Sequence, residues 1–291
     1  MEAKICLITG ASAGIGKEVA IGLAKAGAHL ILVCRDPQKG TAVVEEIRKI
    51  TNSKNIDLFI ADLSSQKSIH HLSESIHKKY NMIHALINNA GVSLSKKTFS
   101  EDGIEMNLAT NHLGPFLLSH LLLDLLQAGQ PSRIINVSSS AHKIATLRLH
   151  DLQFQNRKYR HMQAYAQSKL LLTMMSYEMA KRLAGTNVTV NSLHPGVINT
   201  KLLHEIGMNY FPKAIQKMIA KPLVKLIDTF MVTPQEAAKP IIKLAISPEM
   251  ADVSGQYFVK YKATKSSSKS YDVALTKKVW EMSEKLSGMN E

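Results

Sequence analysis

The sequence predicts one α/β domain built on a doubly wound parallel sheet. Short runs rich in Ile, Val and Leu alternate with longer amphipathic segments, the pattern of βαβ units whose sheet is covered on both faces. The first of those runs leads directly into a glycine-rich turn and then a helix. At 291 residues the chain can bury one large core, and no linker or internal repeat divides it.

Strands are expected at 4–9, 29–34, 56–61, 83–88, 132–138, 187–193 and 256–260, with helices filling the intervals. The expectation is a single Rossmann-type domain, in strand order 3-2-1-4-5-6-7, with its cleft at the carboxyl ends of the strands. The longest helical candidates are 101–127 and 161–184. The second carries Leu170, Leu171, Met174, Met175 and Met179 on more than one face, so it is expected to be buried against another element or a second subunit, and a homodimer is anticipated. Between 200 and 232, Leu202, Leu203, Met208, Tyr210, Phe211, Met218 and Ile219 mix with lysines and two prolines. Helical pieces forming a lid over the cleft are expected there, and residues 262–291 read as a C-terminal tail and helix.

Composition narrows the function. Cys6 and Cys34 lie in strand-like stretches without a CxxC or a histidine at ligand spacing, so buried thiols are expected rather than a disulfide or a metal site. The start MEAKICLITG has no signal-peptide pattern, and no apolar run approaches a membrane span of roughly 18 residues; a cytoplasmic protein without an integral membrane segment is the expectation. A net charge of +13 invites a nucleic-acid partner, but the Lys and Arg residues are dispersed rather than gathered with aromatics, which argues against one. Lys213, Lys217, Lys221 and Lys225 alternate with Met218, Ile219, Leu223 and Val224 in an interfacial pattern, which Pro222 interrupts.

The chemistry begins at Thr9-Gly10-Ala11-Ser12-Ala13-Gly14-Ile15-Gly16. Glycines there let the backbone turn tightly and approach a pyrophosphate, whose charge a helix N-terminus favours. Further along, Tyr165 and Lys169 stand four residues apart on a helical segment, so their side chains share a face. A phenol is a poor base near neutrality, and an adjacent ammonium lowers its pKa toward the working range.

The spacing GxxxGxG departs from the usual dinucleotide fingerprint and resembles the TGxxxGIG turn of the short-chain dehydrogenase/reductase family. The resemblance continues in family order through Asp62-Leu63, Asn88-Asn89-Ala90-Gly91, Asn111-His112-Leu113-Gly114, Ser138-Ser139, Tyr165-x-x-x-Lys169 and Pro195-Gly196. Within the family, CRD after the second strand, INVSSSAH, HDL at 150–152 and AYAQSK resemble the retinol-dehydrogenase-like branch, whose members act on lipophilic aldehydes, ketones and alcohols. Unlike the microsomal members, this chain is expected to lack an N-terminal hydrophobic anchor.

The resemblance implies an oxidoreductase in which Tyr165 is the acid/base, Ser139 holds the substrate oxygen, Lys169 tunes the tyrosine and bonds the coenzyme ribose, and Asn111 marks a helix distortion in the proton relay. It places the coenzyme on Gly10, Ser12, Gly14, Ile15, Gly16, Asp62, Leu63, Asn89, Ala90, Gly91, Tyr165, Lys169, Pro195, Gly196, Val197 and Thr200. After the second strand, where NAD-preferring domains carry an acidic side chain, the chain reads Cys34-Arg35. Arg35 can pair with a 2′-phosphate, helped by Lys17 or Lys39, so NADP(H) is the expected cofactor. Asp36 leaves a ribose contact open. Asp62 can also be a plain capping aspartate, and Ser138-Ser139-Ser140 a self-satisfied turn. A catalytically idle NADP-binding regulator or scaffold is the rival reading.

Overall fold

The structure, a computed structural model, describes residues 3–196 and 232–289. The strands β1 Ile5–Thr9, β2 His29–Cys34, β3 Ile56–Ile60, β4 Ala85–Asn88, β5 Ser132–Val137, β6 Val188–His194, β7 Tyr257–Val259 and β8 Lys262–Ala263 form one sheet in the order β3-β2-β1-β4-β5-β6-β7-β8. Neighbours from β3 to β7 pair parallel, and β8 returns antiparallel to β7. The expected seven-strand order is therefore present, extended by β8, an exposed two-residue edge that offers no alternating pattern to read.

The central strands are apolar on both faces because both faces are covered. Cys6 and Ile8 of β1 pack with α1 Gly14–Lys25, α2 Pro37–Thr51 and α8 Pro234–Ile246 on one side. Leu7 points the other way, into the core shared with α3 Gln66–His77, α5 Gly114–Leu121, α6 Leu123–Ala128, α7 His161–Arg182 and α9 Val273–Leu286. Both cysteines are free and buried, and burial pushes Cys6 up to about 12 and Cys34 up to about 11. Among the described residues, no helix is long and apolar enough to cross a membrane.

The helix expected over 101–127 is broken. A turn at Gly103 and a bridge between Phe99 and Glu105 occupy its start, and the Glu105 carboxylate then accepts from Leu108 N–H to begin α4 Met106–Leu108. A π-helical segment, Ala109–Leu113, follows before α5. The 161–184 expectation matches α7, and its apolar surplus is covered within one chain. Leu170, Leu171 and Met174 pack with Val279, and Leu172, Met175 and Met179 with Trp280, both on α9. The feature that argues for a second subunit is thus met by the chain's own C-terminal helix. Most of the expected lid, 200–231, lies outside the described residues.

Candidate active site

Helix α7 carries Tyr165 and Lys169 one turn apart and faces the carboxyl end of β5. Because side chains alternate along a strand, the two serines following β5 diverge. Ser138 is buried against α7, its hydroxyl at 2.9 Å from Thr173 Oγ1 and donating to the Lys169 carbonyl at 3.2 Å. Ser139 is half-buried at the cleft, where its hydroxyl accepts from Ala141 N–H at 3.2 Å and lies close enough to Tyr165 to act on its phenol. Burial raises the Tyr165 pKa above the ordinary phenol value, and the bond from Ser139 works in the opposite direction.

Lys169 is 4% exposed, and its ammonium donates to Val137 O at 2.8 Å while standing 5.9 Å from the Tyr165 ring centre. Loss of hydration brings its pKa down to about 8. The sequence leads one to expect Lys169 to lower the tyrosine; here burial of the phenol dominates, and the tyrosine is held in its protonated form.

Asn111 sits at the middle of the π-helical segment and is fully buried. Its side chain accepts from Val92 N–H at 2.7 Å and donates to Val92 O at 2.8 Å and Ser168 Oγ at 2.9 Å. The segment after β4 is thereby tied to α7 beside Tyr165. A Cβ on Gly91 would lie 3.2 Å from Asn111 Oδ1 and 3.3 Å from Lys169 Nζ, so the absence of a side chain at 91 is what lets these two groups reach the same space.

The glycine turn lies between β1 and α1. A Cβ on Gly16 would fall 2.3 Å from the Gly10 carbonyl oxygen, so only glycine closes it. Ala13 and Gly14 are exposed, Ser12 and Ile15 half-buried, and Gly14 takes φ +57° with nothing within 4 Å of its Cβ direction. Helix α1 has no side-chain cap and no acidic residue in its first turn, which leaves its first N–H groups for an anion. These residues fit a dinucleotide pyrophosphate. Asn89 braces the turn, donating to Thr9 O at 2.9 Å and Gly10 O at 3.2 Å, while the Thr9 hydroxyl accepts from Asn89 N–H and Ala90 N–H, each at 3.0 Å. Thr9 is a positioning residue that the motif contains and the sequence reading passes over.

At the far end, Arg35 is exposed after β2. Asp36 caps α2, accepting from Gln38 N–H at 3.0 Å and Lys39 N–H at 3.1 Å, and those bonds hold its carboxyl below the usual range. Lys17 pairs with Glu46 at 2.8 Å and so is neutralised rather than adding charge beside Arg35. Asp62 Oδ1 accepts from the Ser64 N–H and hydroxyl, while Ser65, not Asp62, caps α3. Leu63 is buried in the core and has only its backbone to offer. A cleft of about 620 Å³ includes Asp62, Ser64, Ser65, Phe99 and Met106 but none of Ser139, Tyr165 or Lys169, so cavity size does not locate the chemistry.

Pro195 and Gly196 follow β6; a Cβ on Gly196 would meet Val232 at 2.7 Å. Val197 and Thr200 lie outside the described residues. Among the described residues, no group of three His, Cys, Asp or Glu side chains is placed to hold a metal.

This fold with this Ser/Tyr/Lys/Asn set defines an oxidoreductase of the short-chain class, and comparison with known proteins agrees. The family model described as short chain dehydrogenase matches residues 4–210, and the chain belongs to that family. It falls in the retinol dehydrogenase-like branch, being 40% identical over 286 residues to Retinol dehydrogenase 13 of Homo sapiens, with 98% of this chain and 85% of that protein covered. A crystal structure of an uncharacterized protein from Mycobacterium Paratuberculosis superposes with TM-score 0.77 at 26% identity, covering 98% of this chain and 93% of that one. The RhlG/NADP active-site complex of Pseudomonas aeruginosa gives TM-score 0.68 at 26% identity, covering 89% and 95%. The chain is thus a carbonyl/alcohol oxidoreductase with a nicotinamide coenzyme.

Proposed function

We propose that this chain is an NADP(H)-dependent enzyme interconverting lipophilic aldehydes or ketones with their alcohols. The observation that carries the reading is the convergence of Ser139, Tyr165 and Lys169, with Asn111 beside Lys169 across the side-chain-free position of Gly91.

The glycine turn and the uncapped α1 N-terminus would hold the coenzyme, whose nicotinamide would supply the hydride in reduction and accept it in oxidation. In reduction the Ser139 hydroxyl donates to the substrate oxygen, countering the charge that develops there, and Tyr165 gives that oxygen its proton. Tyr165, protonated at neutral pH as any phenol is and pushed further that way by burial, is in the form that reduction needs of its acid. Lys169, with its pKa near 8, can exchange a proton near neutrality and so restore the tyrosine. Asn111, whose amide is fully engaged with Val92 and Ser168, fixes the wall of the relay.

Preference for NADP(H) rests on Arg35, left exposed after β2, and on Asp36, whose carboxylate is spent on the α2 cap; the solved relative RhlG is an NADP complex. The lipophilic substrate class rests on Leu202, Leu203, Met208 and Phe211 in the 200–232 stretch and on relatives named for retinol. The deciding experiment offers the purified chain NADPH or NADH with a panel of carbonyl compounds and follows nicotinamide absorbance. NADPH consumption greatest with apolar aldehydes or ketones is expected. Equal use of NADH, or better turnover of polar sugars, overturns the proposal.

A further inference from the structure

His142, the last residue of the INVSSSAH text, has no part in the mechanism above, yet it is fully buried three residues after Ser139. Its Nδ1 lies 2.6 Å from Ser139 O, and its Nε2 lies 2.9 Å from Ser267 N. A carbonyl only accepts and a peptide N–H only donates, so the two partners fix the ring. Nδ1 carries the proton and donates to Ser139, and Nε2 is bare and accepts from Ser267. The Ser139 carbonyl also accepts from His142 N–H at 3.1 Å, so both its acceptor directions are taken and the peptide following Ser139 has one orientation.

The other end of this clamp is equally fixed. The Ser266 hydroxyl shares a hydrogen bond of 2.6 Å with Tyr177 on α7, its N–H donates to the Tyr271 hydroxyl at 3.0 Å, and Lys269 donates to Ala145 O at 2.6 Å. The Tyr257 ring closes on the imidazole edge at 4.9 Å. A second buried histidine, His112, next to Asn111, meets the Ser283 hydroxyl of α9 through Nε2 at 2.7 Å but has no partner at Nδ1 among the described residues, so the two-sided clamp belongs to His142.

We propose that His142 is the positioning residue of Ser139, and that the C-terminal segment around Ser267 holds its imidazole in the one tautomer that can do this. The proposal rests on the oxidoreductase reading for its kinetic consequence. The C-terminal segment is then part of the active site's framework, although none of its residues touches the reacting atoms.

Three variants test it. Ser267 has φ −63° and ψ 140°, values proline adopts, so Ser267→Pro removes the N–H that His142 accepts while keeping the backbone path. His142→Leu removes both bonds, and His142→Asn keeps a donor at the Nδ1 position. With NADPH and a substrate that wild type reduces, His142→Leu and Ser267→Pro should lose about tenfold in kcat, within the ~10²-fold range a 1 Å misplacement brings. NADPH affinity by fluorescence titration should be unchanged, and His142→Asn should recover most of the rate. Rates within about twofold of wild type in both His142→Leu and Ser267→Pro, or an asparagine variant as slow as the leucine one, overturn the proposal. Ring nitrogen shifts of ¹⁵N-histidine-labelled protein read the tautomer without any turnover: protonated Nδ1 and bare Nε2 in wild type support the clamp, and a protonated Nε2 overturns it. Wild type that reduces no carbonyl overturns the oxidoreductase reading instead, and the ring shifts still decide the clamp.

Discussion

The ammonium of Lys169 is bonded to the carbonyl of Val137 at 2.8 Å, which fastens the helix bearing Tyr165 to the strand that leads into Ser138 and Ser139. Tyr165 and Ser139 reach the cleft from different elements, and this bond across 32 residues, with those of the Ser138 hydroxyl to Lys169 O and Thr173, sets their spacing. Lysine suits the task because its long stem crosses the packed space between helix and strand while its head donates. The cost is a desolvated charge.

That cost has a pH signature. The native chain holds Lys169 near 8, against 10.5 for an unburied lysine. Below about 8 both native and unfolded chains are protonated and the full penalty is present; between the two values the unfolded chain alone keeps the proton. Wild-type stability should therefore rise with pH across that window relative to Lys169→Met, approaching about 3 kcal/mol at roughly 1.4 kcal/mol per pKa unit. Urea denaturation of both proteins at pH 7.5 and 9.5 measures the difference; a difference that is flat or falls over that interval rejects the assignment.

Coenzyme choice is predicted to separate at two adjacent residues. Arg35→Ala should weaken NADPH about ten- to hundredfold, the worth of charge-assisted hydrogen bonds to a phosphate, and leave NADH unaffected. Asp36→Ala should leave the NADPH to NADH ratio alone while lowering the melting temperature through the lost α2 cap. Calorimetric titration with both coenzymes, with a melt of each variant, reads the two effects. A ratio that moves in Asp36→Ala and not in Arg35→Ala would reverse the roles of these two residues.

Trp280 is predicted to be the stability anchor of the C-terminal helix. Its ring stands 5.0 Å from Phe116 and under the Arg182 guanidinium at 4.2 Å, its Nε1–H donates to Glu284 at 2.6 Å, and it is 3% exposed. Trp280→Ala should cost about 3–5 kcal/mol. Deleting residues 273–291 should bare Leu170, Leu171 and Met174 and drive self-association, visible by light scattering. A deletion that stays monodisperse and equally stable removes the role assigned to α9.

What is legible in the sequence follows from how each feature is encoded. Strands β1 to β7 are readable because each is a short apolar run ending in a turn residue, and Tyr165 and Lys169 because i,i+4 spacing alone puts them on one face. The start of the 101–127 helix misleads because Glu101 to Ile104 carry helix-compatible residues while Gly103 turns the chain, a choice made by tertiary pairing rather than local preference. Asn111 is identifiable as an oddity within a helix, but the π-helical turn around it depends on Val92 and Ser168, nineteen and fifty-seven residues away. His142 and Ser267 are 125 residues apart, and no local pattern announces a bond of that range. Thr9 stands in plain view inside the glycine motif, where the eye goes to the glycines.

The proton itself is the last point at which the chemistry can be separated from the scaffold. Tyr165→Phe keeps the ring that packs beside Lys169 at 5.9 Å and deletes only the oxygen that meets Ser139. Folding and NADPH affinity should therefore be close to wild type, while turnover falls by about 10²- to 10⁴-fold, the range a positioned general acid contributes. Ser139→Ala should lose turnover as well, since it removes the donor to the substrate oxygen, by about 10²-fold or more. The two losses should not add in the double variant, because a substrate oxygen that receives no proton gains little from being held. An idle coenzyme-binding scaffold predicts no such pattern, since its measured role would survive either change. Steady-state rates for the two single variants and the double variant, with thermal melts to certify folding, give the answer: near wild-type reduction by folded Tyr165→Phe would take the proton from this tyrosine and the mechanism with it.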